Sequence, residues 1–280
     1  MGYIWTSIAL ATLVVMGLLR LRLIDARNEE SSWQDLIKQA GISQGFYKPE
    51  LVQGLPEPAQ RYFNFSISPG SPLVPAVEIE MDGELGLGSI DEPKYKPMKA
   101  HQILAPPHGF LWRVRVGLVR GSDGVSKNNS WTRFWLFGLI PVVRVSDDQD
   151  HHRSAFGRVI AEGAFWTPAT LMPSARVNWE AVDDNTARAV VNFGAFEQAV
   201  DITVLQSGQP HQVVIQRWSN ENSSREYKLQ PFGGTLGDFR RFGGYMLPTS
   251  VEGGNHFGTD DYFPFYKAKV TDIRLLGDTS

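Results

Sequence analysis

The stretch that decides the fold is GAFWTPATLMPSARVNWEAVDDNTARAVV, residues 163–191. An apolar helical pattern ends at Trp166, and Pro168 and Pro173 then disfavour helix in the residue that precedes each of them. Trp179 begins an alternating pattern typical of a strand, which continues through a polar turn into a second strand. We interpret the stretch as a rigid connector that turns a helix into a sheet, and a share in ligand binding stays open.

The helix that leads into this connector has one apolar stripe. Its members recur at helical spacing: Phe156, Val159, Ile160 and Ala164. The stripe predicts a helix near residues 151–166, with Asp150 placed to cap its first turn. A large aromatic side chain at each end of the connector would fix how this helix lies on the sheet. We therefore expect Trp166 and Trp179 to pack against the inner sheet face, with Trp112 nearby.

After residue 74 the sequence changes to a pattern of period two. In VEIEMD, residues 77–82, apolar side chains alternate with acidic ones, as in a strand with one buried and one wet face. Further stretches of this kind follow at hairpin spacing and add up to about nine or ten strands. No alternation of strand, helix and strand occurs, so we expect an antiparallel sheet.

The segment WTRFWLFGLIPVVRV, residues 131–145, is almost wholly apolar but too short to span a bilayer as a helix. Two interpretations stay open for it. It is either a surface that meets acyl chains or the bilayer interface, or an ordinary buried strand. The polar residues 123–131, which overlap its start, have the composition of a loop.

The N-terminus has the pattern of a membrane segment. Tyr3 to Leu19 carries no charge over 17 residues, and Arg20 and Arg22 close it. We expect an uncleaved single-pass anchor rather than a signal peptide, because a basic start and a small-residue cleavage site are both missing. The arginines that follow favour a cytoplasmic body under the positive-inside rule, but one short helix leaves the side of the membrane undecided.

These patterns divide the chain into an anchor over residues 1–27, a helical lead-in over 28–70 and a sheet domain over 71–280. In the lead-in, Ser32 is placed to begin a helix and Gly41 to end it. We expect residues 28–280 to form one globular domain.

Composition excludes several classes of function. A net charge of −3 argues against a nucleic-acid partner, which would need a basic face. The chain has no cysteine and no Gly-x-Ser-x-Gly motif, so thiol chemistry and the usual serine nucleophile have no signature. The run DDQDHH, residues 147–152, lacks a third metal ligand at a usable spacing. We expect neither a metal nor another cofactor, and the oligomeric state is left open.

Several short segments of the sequence resemble an uncharacterised bacterial family, domain of unknown function six-five-four-four. They are LPEPAQRYF at 55–63, PPHGFLWR at 106–113, AEGAFWTPATLMPSARVNWEAVDD at 161–184, GGYMLPTSVE at 243–252 and YFPFYKAKVTDI at 262–273. In the segment 161–184, the positions that match the family pattern are Glu162, Trp166, Pro168, Leu171, Pro173, Ser174 and Trp179. The resemblance implies no activity, because the family has no established one.

A second resemblance concerns architecture. RRFGGYMLPTSVEGGN, residues 240–255, followed by FYKAKVTDIRL, residues 265–275, is similar in order to the late strands of lipoprotein carriers of the LolA and LolB type. That resemblance implies a curved antiparallel half-barrel that wraps around helices and leaves an apolar cavity. The expected fold class is therefore α+β, a large curved antiparallel sheet packed on a few helices and preceded by one transmembrane helix.

The expected function is that of a membrane-anchored protein that binds a lipid or lipophilic ligand in an apolar cavity. The residues expected to contact the ligand are Trp112, Trp135, Glu162, Trp166 and Trp179. Two alternatives stay open. One is a hydrolase acting on envelope lipid, with Glu162 or a histidine in its site. The other is an interaction module with a filled interior and no ligand.

Overall fold

The computed structural model describes residues 2–41, 43, 45–127, 129–146 and 148–277. The helices are α1 (Gly2–Ala40), α2 (Glu57–Ser66) and α3 (Gln149–Trp166), with single 3₁₀ turns at Pro49–Val52 and Pro168–Leu171. The strands are β1 (Ala76–Gly86), β2 (Tyr95–Ala105), β3 (Gly109–Val116), β4 (Val119–Ser126), β5 (Asn129–Leu136), β6 (Ile140–Ser146), β7 (Val177–Ala181), β8 (Thr186–Phe193), β9 (Phe196–Val204), β10 (Pro210–Ser219), β11 (Lys228–Phe242), β12 (Tyr245–Asn255) and β13 (Phe263–Leu276).

Within this part of the chain the strands form one antiparallel sheet of thirteen, in the order β6-β5-β4-β3-β2-β1-β13-β12-β11-β10-β9-β8-β7. Within each of the two runs β1–β6 and β7–β13 every strand pairs with its neighbour in sequence, and β1 pairs with β13 to join the runs. The edge strands β6 and β7 are linked in sequence by α3, which therefore passes from one edge of the sheet to the other. The predicted fold class is confirmed.

The sheet is strongly curved around α3. This helix contacts β3, β4 and β5 on one side and β9, β10 and β12 on the other. The strands β4 and β10 are seven positions apart in the sheet, which would be about 34 Å if the sheet were flat. A helix is only about 10–12 Å wide, so the sheet must wrap around it. The main hydrophobic core lies on this concave face.

The convex face carries the C-terminal half of α1. Trp33 and Leu36 pack there against Ile103, Leu111 and Trp131 in a second, smaller hydrophobic cluster. An ion pair of Asp25 with Arg133 and a hydrogen bond from Ser122 to Glu29 extend this packing toward the N-terminus of the helix. Among the described residues α1 is the one helix long and apolar enough to cross a membrane, judged by length and composition.

Three local predictions were wrong. The first concerns Ser32, which begins no helix: α1 is continuous from Gly2 to Ala40, because residues 20–32 contain no glycine or proline to interrupt it. The end at Gly41 is confirmed, since that glycine has a φ of +69°. The second concerns the cap of α3. Asp148, not Asp150, accepts hydrogen bonds from the backbone N–H groups of Asp150 and His151, so the helix begins at Gln149.

The third concerns the stretch 123–145, which is neither a loop nor a single apolar element. It contains the end of β4, all of β5 and all but the last residue of β6, and the hairpin turn between β5 and β6 has Phe137 and Gly138 at positive φ. Undetected turns of this kind explain why thirteen strands occur where nine or ten were expected. The segment is buried at Trp135 but exposed along β6, so it is not one ordinary buried strand, and contact of its exposed part with lipid stays a prediction.

The connector after α3 follows the predicted plan. The helix ends at Trp166, one 3₁₀ turn covers Pro168–Leu171, and β7 begins at Val177. Trp179 donates a hydrogen bond from Nε1 to the carbonyl oxygen of Leu171, 2.9 Å away. The strand is thus bonded back to the connector, which fixes the direction in which the chain leaves α3.

Candidate functional site

A cavity of about 430 Å³ lies between α3 and the concave face of the sheet. Most of its wall is apolar and aromatic. The apolar lining side chains are Leu85, Leu87, Trp112, Phe134, Ala161, Phe165, Trp166, Val213, Phe232, Leu236, Val251 and Phe265. Leu87 is largely exposed and marks a point where the wall meets solvent. The space is therefore an apolar pocket with access from outside.

Glycines in the middle of two strands shape one side of the cavity. Gly233 and Gly234 on β11 face Gly253 on β12 at the wall. A Cβ atom on Gly234 would lie 2.0 Å from the carbonyl oxygen of Glu252, which is too close for any side chain. The close approach of these two strands requires glycine, and the absence of side chains there leaves room in the pocket.

A buried charged cluster forms the opposite wall. Arg158 on α3 donates from Nε to Glu162 Oε1 at 2.5 Å and from Nη1 to Asp123 Oδ2 at 2.7 Å. Gln102 on β2 donates from Nε2 to the other oxygen of Glu162, also at 2.5 Å. Burial lowers the pKa of the Arg158 guanidinium, but the carboxylates of Glu162 and Asp123 outweigh it and raise that pKa above its usual value.

The guanidinium of Arg158 also lies over two rings. Its carbon is 4.3 Å from the centroid of Phe110 and 5.4 Å from that of Trp112. These cation–π contacts join the charged cluster to the aromatic wall. Because both oxygens of Glu162 already accept a hydrogen bond, this carboxylate is positioned as a partner of Arg158 rather than as a general acid.

A histidine adjoins the cluster. His151 Nε2 is 2.9 Å from Thr132 Oγ1, and Nδ1 is 2.8 Å from Ser130 Oγ. The Thr132 hydroxyl donates its one hydrogen bond to Asp123 at 2.7 Å, so it accepts a hydrogen bond from Nε2 of His151. In the neutral ring Nδ1 then accepts a hydrogen bond from Ser130. Burial lowers the pKa of His151. The unprotonated nitrogen, Nδ1, therefore faces Ser130. That serine is 1% exposed and does not line the cavity.

In the structure, the described side chains of the aspartate and histidine run at 147–152 do not converge on one point. Asp147 lies outside the described residues, and Asp148 caps α3. Asp150 accepts a hydrogen bond from Trp218 Nε1 at 2.7 Å. These side chains serve different contacts, and no group of three or more potential metal ligands occurs in the part of the chain that the structure describes.

The structure brings three of the five expected ligand-contact residues together. Trp112, Glu162 and Trp166 all line the cavity. Trp135 lies on the convex face, where it is 1% exposed and the guanidinium carbons of Arg22 and Arg144 lie 5.6 and 5.3 Å from its ring centroid.

Trp179 lies outside the cavity wall as well. It is partly buried on the edge strand β7, where its ring packs edge-on against Phe63 of α2 at 5.4 Å. Trp166, in contrast, is 1% exposed within the main core and also faces the cavity. The two ends of the connector therefore have different surroundings.

Sequence reasoning missed Asp123 and Arg217 as cavity residues. A usable signal existed for Arg217. Val213 and Ile215 on β10 are buried inward-facing residues, and Arg217 continues the same alternation. A charge at an inward position of an apolar strand face indicates either a buried partner or a ligand. Asp123 had no such signal, because the turn residues around it suggested a loop.

The comparison with known proteins adds a family and two solved structures. The model of the family of unknown function DUF6544 matches residues 45–268. A LolA superfamily protein, NE2245 from Nitrosomonas europaea, is 11% identical with a TM-score of 0.39, over 78% of this chain and 91% of that chain. A domain described as an outer membrane lipoprotein-sorting protein from Vibrio parahaemolyticus is 11% identical with a TM-score of 0.37, over 81% and 91%. No curated protein matches the chain.

The matched residues run from the chain before α2 to β13 and include the whole cavity wall. The chain belongs to the DUF6544 family of unknown function.

Proposed function

We propose that this protein is a membrane-anchored binder of a lipid or another lipophilic molecule, held in the cavity between α3 and the sheet. The observation that carries the proposal is the cavity itself, about 430 Å³ with walls of Trp, Phe, Leu and Val side chains. This volume lies within the range of small-molecule sites, which are mostly apolar with a few polar groups that fix orientation.

Packing supports the same proposal. Protein interiors are close-packed, and voids much larger than a water molecule are few. A pure interaction module has no need for an apolar cavity beside its core and would gain stability from filling it. The glycines of β11 and the arrangement of α3 keep this space open. We infer that an apolar ligand occupies it.

The membrane part of the proposal rests on α1. Its apolar N-terminal segment has a mean hydropathy of 1.9 over an 18-residue window, with no part of that window buried against the rest of the chain. The same helix continues without a break onto the convex face of the sheet. An anchor built in this way holds the cavity at a fixed height and orientation relative to the bilayer.

Native mass spectrometry of the full chain, extracted in mild detergent, tests the proposal. Val251→Trp places an indole in the cavity, where Val251 is 6% exposed. Its matched control is Val182→Trp, at a residue 46% exposed near β7. We expect lipid-sized additional mass on the wild type and on the control, and its loss from the cavity variant.

The fold of each variant is checked by its melting temperature, and Leu236→Trp serves as a second cavity variant if the first does not fold. Wild-type protein that carries no lipid and binds no fluorescent fatty acid would rule the proposal out. Equal lipid mass on wild type and both cavity variants would place the lipid elsewhere on the protein.

A further inference from the structure

The charged side chains of the cavity wall are unequally paired. Two of its carboxylates, Asp123 and Glu162, share Arg158. The other two are paired outside the cavity by neighbouring cations: Glu221 by Arg225 and Glu252 by Lys267, each at 3.5 Å. Every carboxylate that lines the cavity therefore has a cation.

Arg217 is the exception among the charged lining residues. Its Nε donates to the backbone carbonyl of Ser154 at 3.3 Å, and its guanidinium carbon lies 4.7 Å from the ring centroid of Phe232. Within the described residues no carboxylate makes an ion pair with it, and its two terminal nitrogens have no hydrogen-bond partner. Of the five N–H donors of the guanidinium only the one on Nε makes a hydrogen bond to a described residue, and Arg217 is one of the residues that line the cavity.

An unpaired cation beside an apolar wall is unfavourable, because little water is available to solvate it. Burial, the largest cause, and the positive charge of Arg158 lower the pKa of Arg217 below its usual value, and the carboxylates of Asp123, Glu162 and Glu221 oppose them only in part. An anion at the guanidinium would offset both effects through charge-assisted hydrogen bonds. The apolar walls leave space beside that position for a hydrocarbon chain.

We propose that Arg217 binds the anionic head group, a carboxylate or a phosphate, of an amphiphile whose chain fills the cavity. This inference rests on the proposed function and names the class of its ligand. Arg217 is predicted to contribute selectivity for charge, whereas the aromatic wall supplies affinity for the chain whatever its head group.

The test titrates the full chain, in a non-ionic detergent, with dodecanoate, dodecyl phosphate and dodecanol. We expect the two anions to bind about tenfold more tightly than the alcohol. In Arg217→Gln this difference should disappear while dodecanol binding is unchanged, and Arg217→Lys should restore part of it. A preference for only one anion identifies the source of the head group as a fatty acid or a phosphate-bearing lipid.

Equal binding of all three probes by the wild type would overturn the inference, as would an unchanged preference in Arg217→Gln. Failure of the inference is distinguishable from failure of the proposed function. If dodecanol binds but anions have no advantage, only the head-group assignment is wrong. If none of the three binds, the proposed function fails and the inference fails with it.

A separate observation concerns the end of the sheet from which α1 departs. Along the β4–β5 hairpin, Asp35 of α1 pairs with Lys127 at the hairpin's turn, at 2.6 Å. Thirteen residues earlier, Arg22 lies over Trp135 near the other end of that hairpin. The apolar segment of α1 therefore projects beyond the sheet at the end where β5 turns into β6.

Apolar side chains protrude at the hairpin tips of this same end. Leu87 after β1, Leu118 between β3 and β4, and Phe137 between β5 and β6 are 62%, 63% and 66% exposed. Arg115 and Arg120 lie opposite each other beside Leu118 and are exposed. Apolar tips flanked by arginines suit the interface of a bilayer that contains anionic lipid.

From this continuity with α1 we infer that the three tips contact the bilayer surface, with the exposed cavity residue Leu87 among them. This second inference also rests on the proposed anchor. It would bring the mouth of the cavity to the membrane, so that a lipid could enter from the bilayer without crossing bulk water.

The chain has no cysteine, so single labels can be placed without background. Nitroxide labels at Leu118→Cys and Phe137→Cys in proteoliposomes should collide more with oxygen than with a water-soluble nickel complex. A label at Val182→Cys, from the opposite end of the sheet, should show the reverse. Equal access of nickel to all three positions would contradict the inference. A label at Leu10→Cys separates this outcome from failure of the anchor, since it must be shielded if α1 spans the membrane.

Discussion

The two faces of the sheet hold a helix in different ways. On the convex face charged contacts hold α1 in addition to its apolar cluster, with the Asp25 carboxylate contacting Arg144 at 2.5 Å and Arg133 at 3.3 Å. Glu29 accepts a hydrogen bond from Ser122 at 2.8 Å. On the concave face α3 is packed by apolar side chains, yet a cavity of about 430 Å³ stands beside it. One face of the fold is thus suited to hold a tether, and the other to hold a ligand.

The largest expected loss of stability comes from a substitution on the concave face. Trp166 is 1% exposed and donates from Nε1 to the carbonyl oxygen of Pro248 at 3.4 Å. Trp166→Ala should lower the free energy of unfolding by about 3–5 kcal/mol through lost burial and a larger cavity. Trp179→Ala should cost less, because that side chain is partly exposed on an edge strand. Chemical denaturation of both variants measures the difference, and an equal or reversed ranking would contradict this account of the connector.

The charged wall of the cavity should give the next largest effect. Arg158→Met leaves Asp123 and Glu162 without their cation in a largely buried site. We expect a loss of about 3 kcal/mol in the free energy of unfolding, at the low end for a broken buried pair because Asp123 is partly exposed. Arg153→Met, an exposed position on the same helix, is the control. If both variants lose the same stability, the cluster is not a structural element of the wall.

A smaller loss of stability, with no change in ligand affinity, is expected from a substitution on the convex face. Asp25→Asn removes the charge that Arg133 and Arg144 share on the convex face. We expect a loss of about 2 kcal/mol in the free energy of unfolding, since an amide can still accept one hydrogen bond. Ligand affinity should not change, because this side chain is separated from the cavity by the sheet. A fall in affinity comparable to that of Val251→Trp would show that the two faces are coupled.

The smallest effect concerns pH. Burial lowers the pKa of His151, so the unfolded chain binds a proton at this residue more readily than the folded chain does. Stability should therefore decrease as the pH falls below about 6.5, the ordinary pKa of histidine, and level off below the folded pKa. His108, whose pKa is also lowered by burial, contributes in the same direction. Denaturation curves of wild type and His151→Gln between about pH 5 and about pH 8 should show a weaker dependence in the variant.

The parts of the fold that could be predicted are those set by local sequence. The stripe of α3 and the two prolines that follow it determine where the helix ends, whatever packs around them. The turn at Phe137 and Gly138 could not be predicted in this way, because a non-glycine residue at positive φ leaves no clear mark in an apolar run.

The candidate site was less accessible to sequence reasoning for a physical reason. In the sequence, Asp25 and Asp123 look like ordinary solvent-exposed charges. Only the tertiary structure brings each of them to an arginine far away in the chain. Trp135 and Trp112 likewise have similar local patterns but lie on opposite faces of the sheet. Which face of a strand turns inward depends on the pairing register, and one residue of difference reverses it.

The central claim is that the space beside α3 is a lipid-binding cavity, and anomalous diffraction tests it most directly. Crystals of the full chain grown with a fatty acid that carries bromine at the end of its chain should show one bromine peak between α3 and strands β11–β13. We expect that peak within contact distance of the aromatic wall that includes Trp112 and Trp166. A bromine peak only on the protein surface, or an unchanged cavity with no peak at saturating fatty acid, would contradict the account.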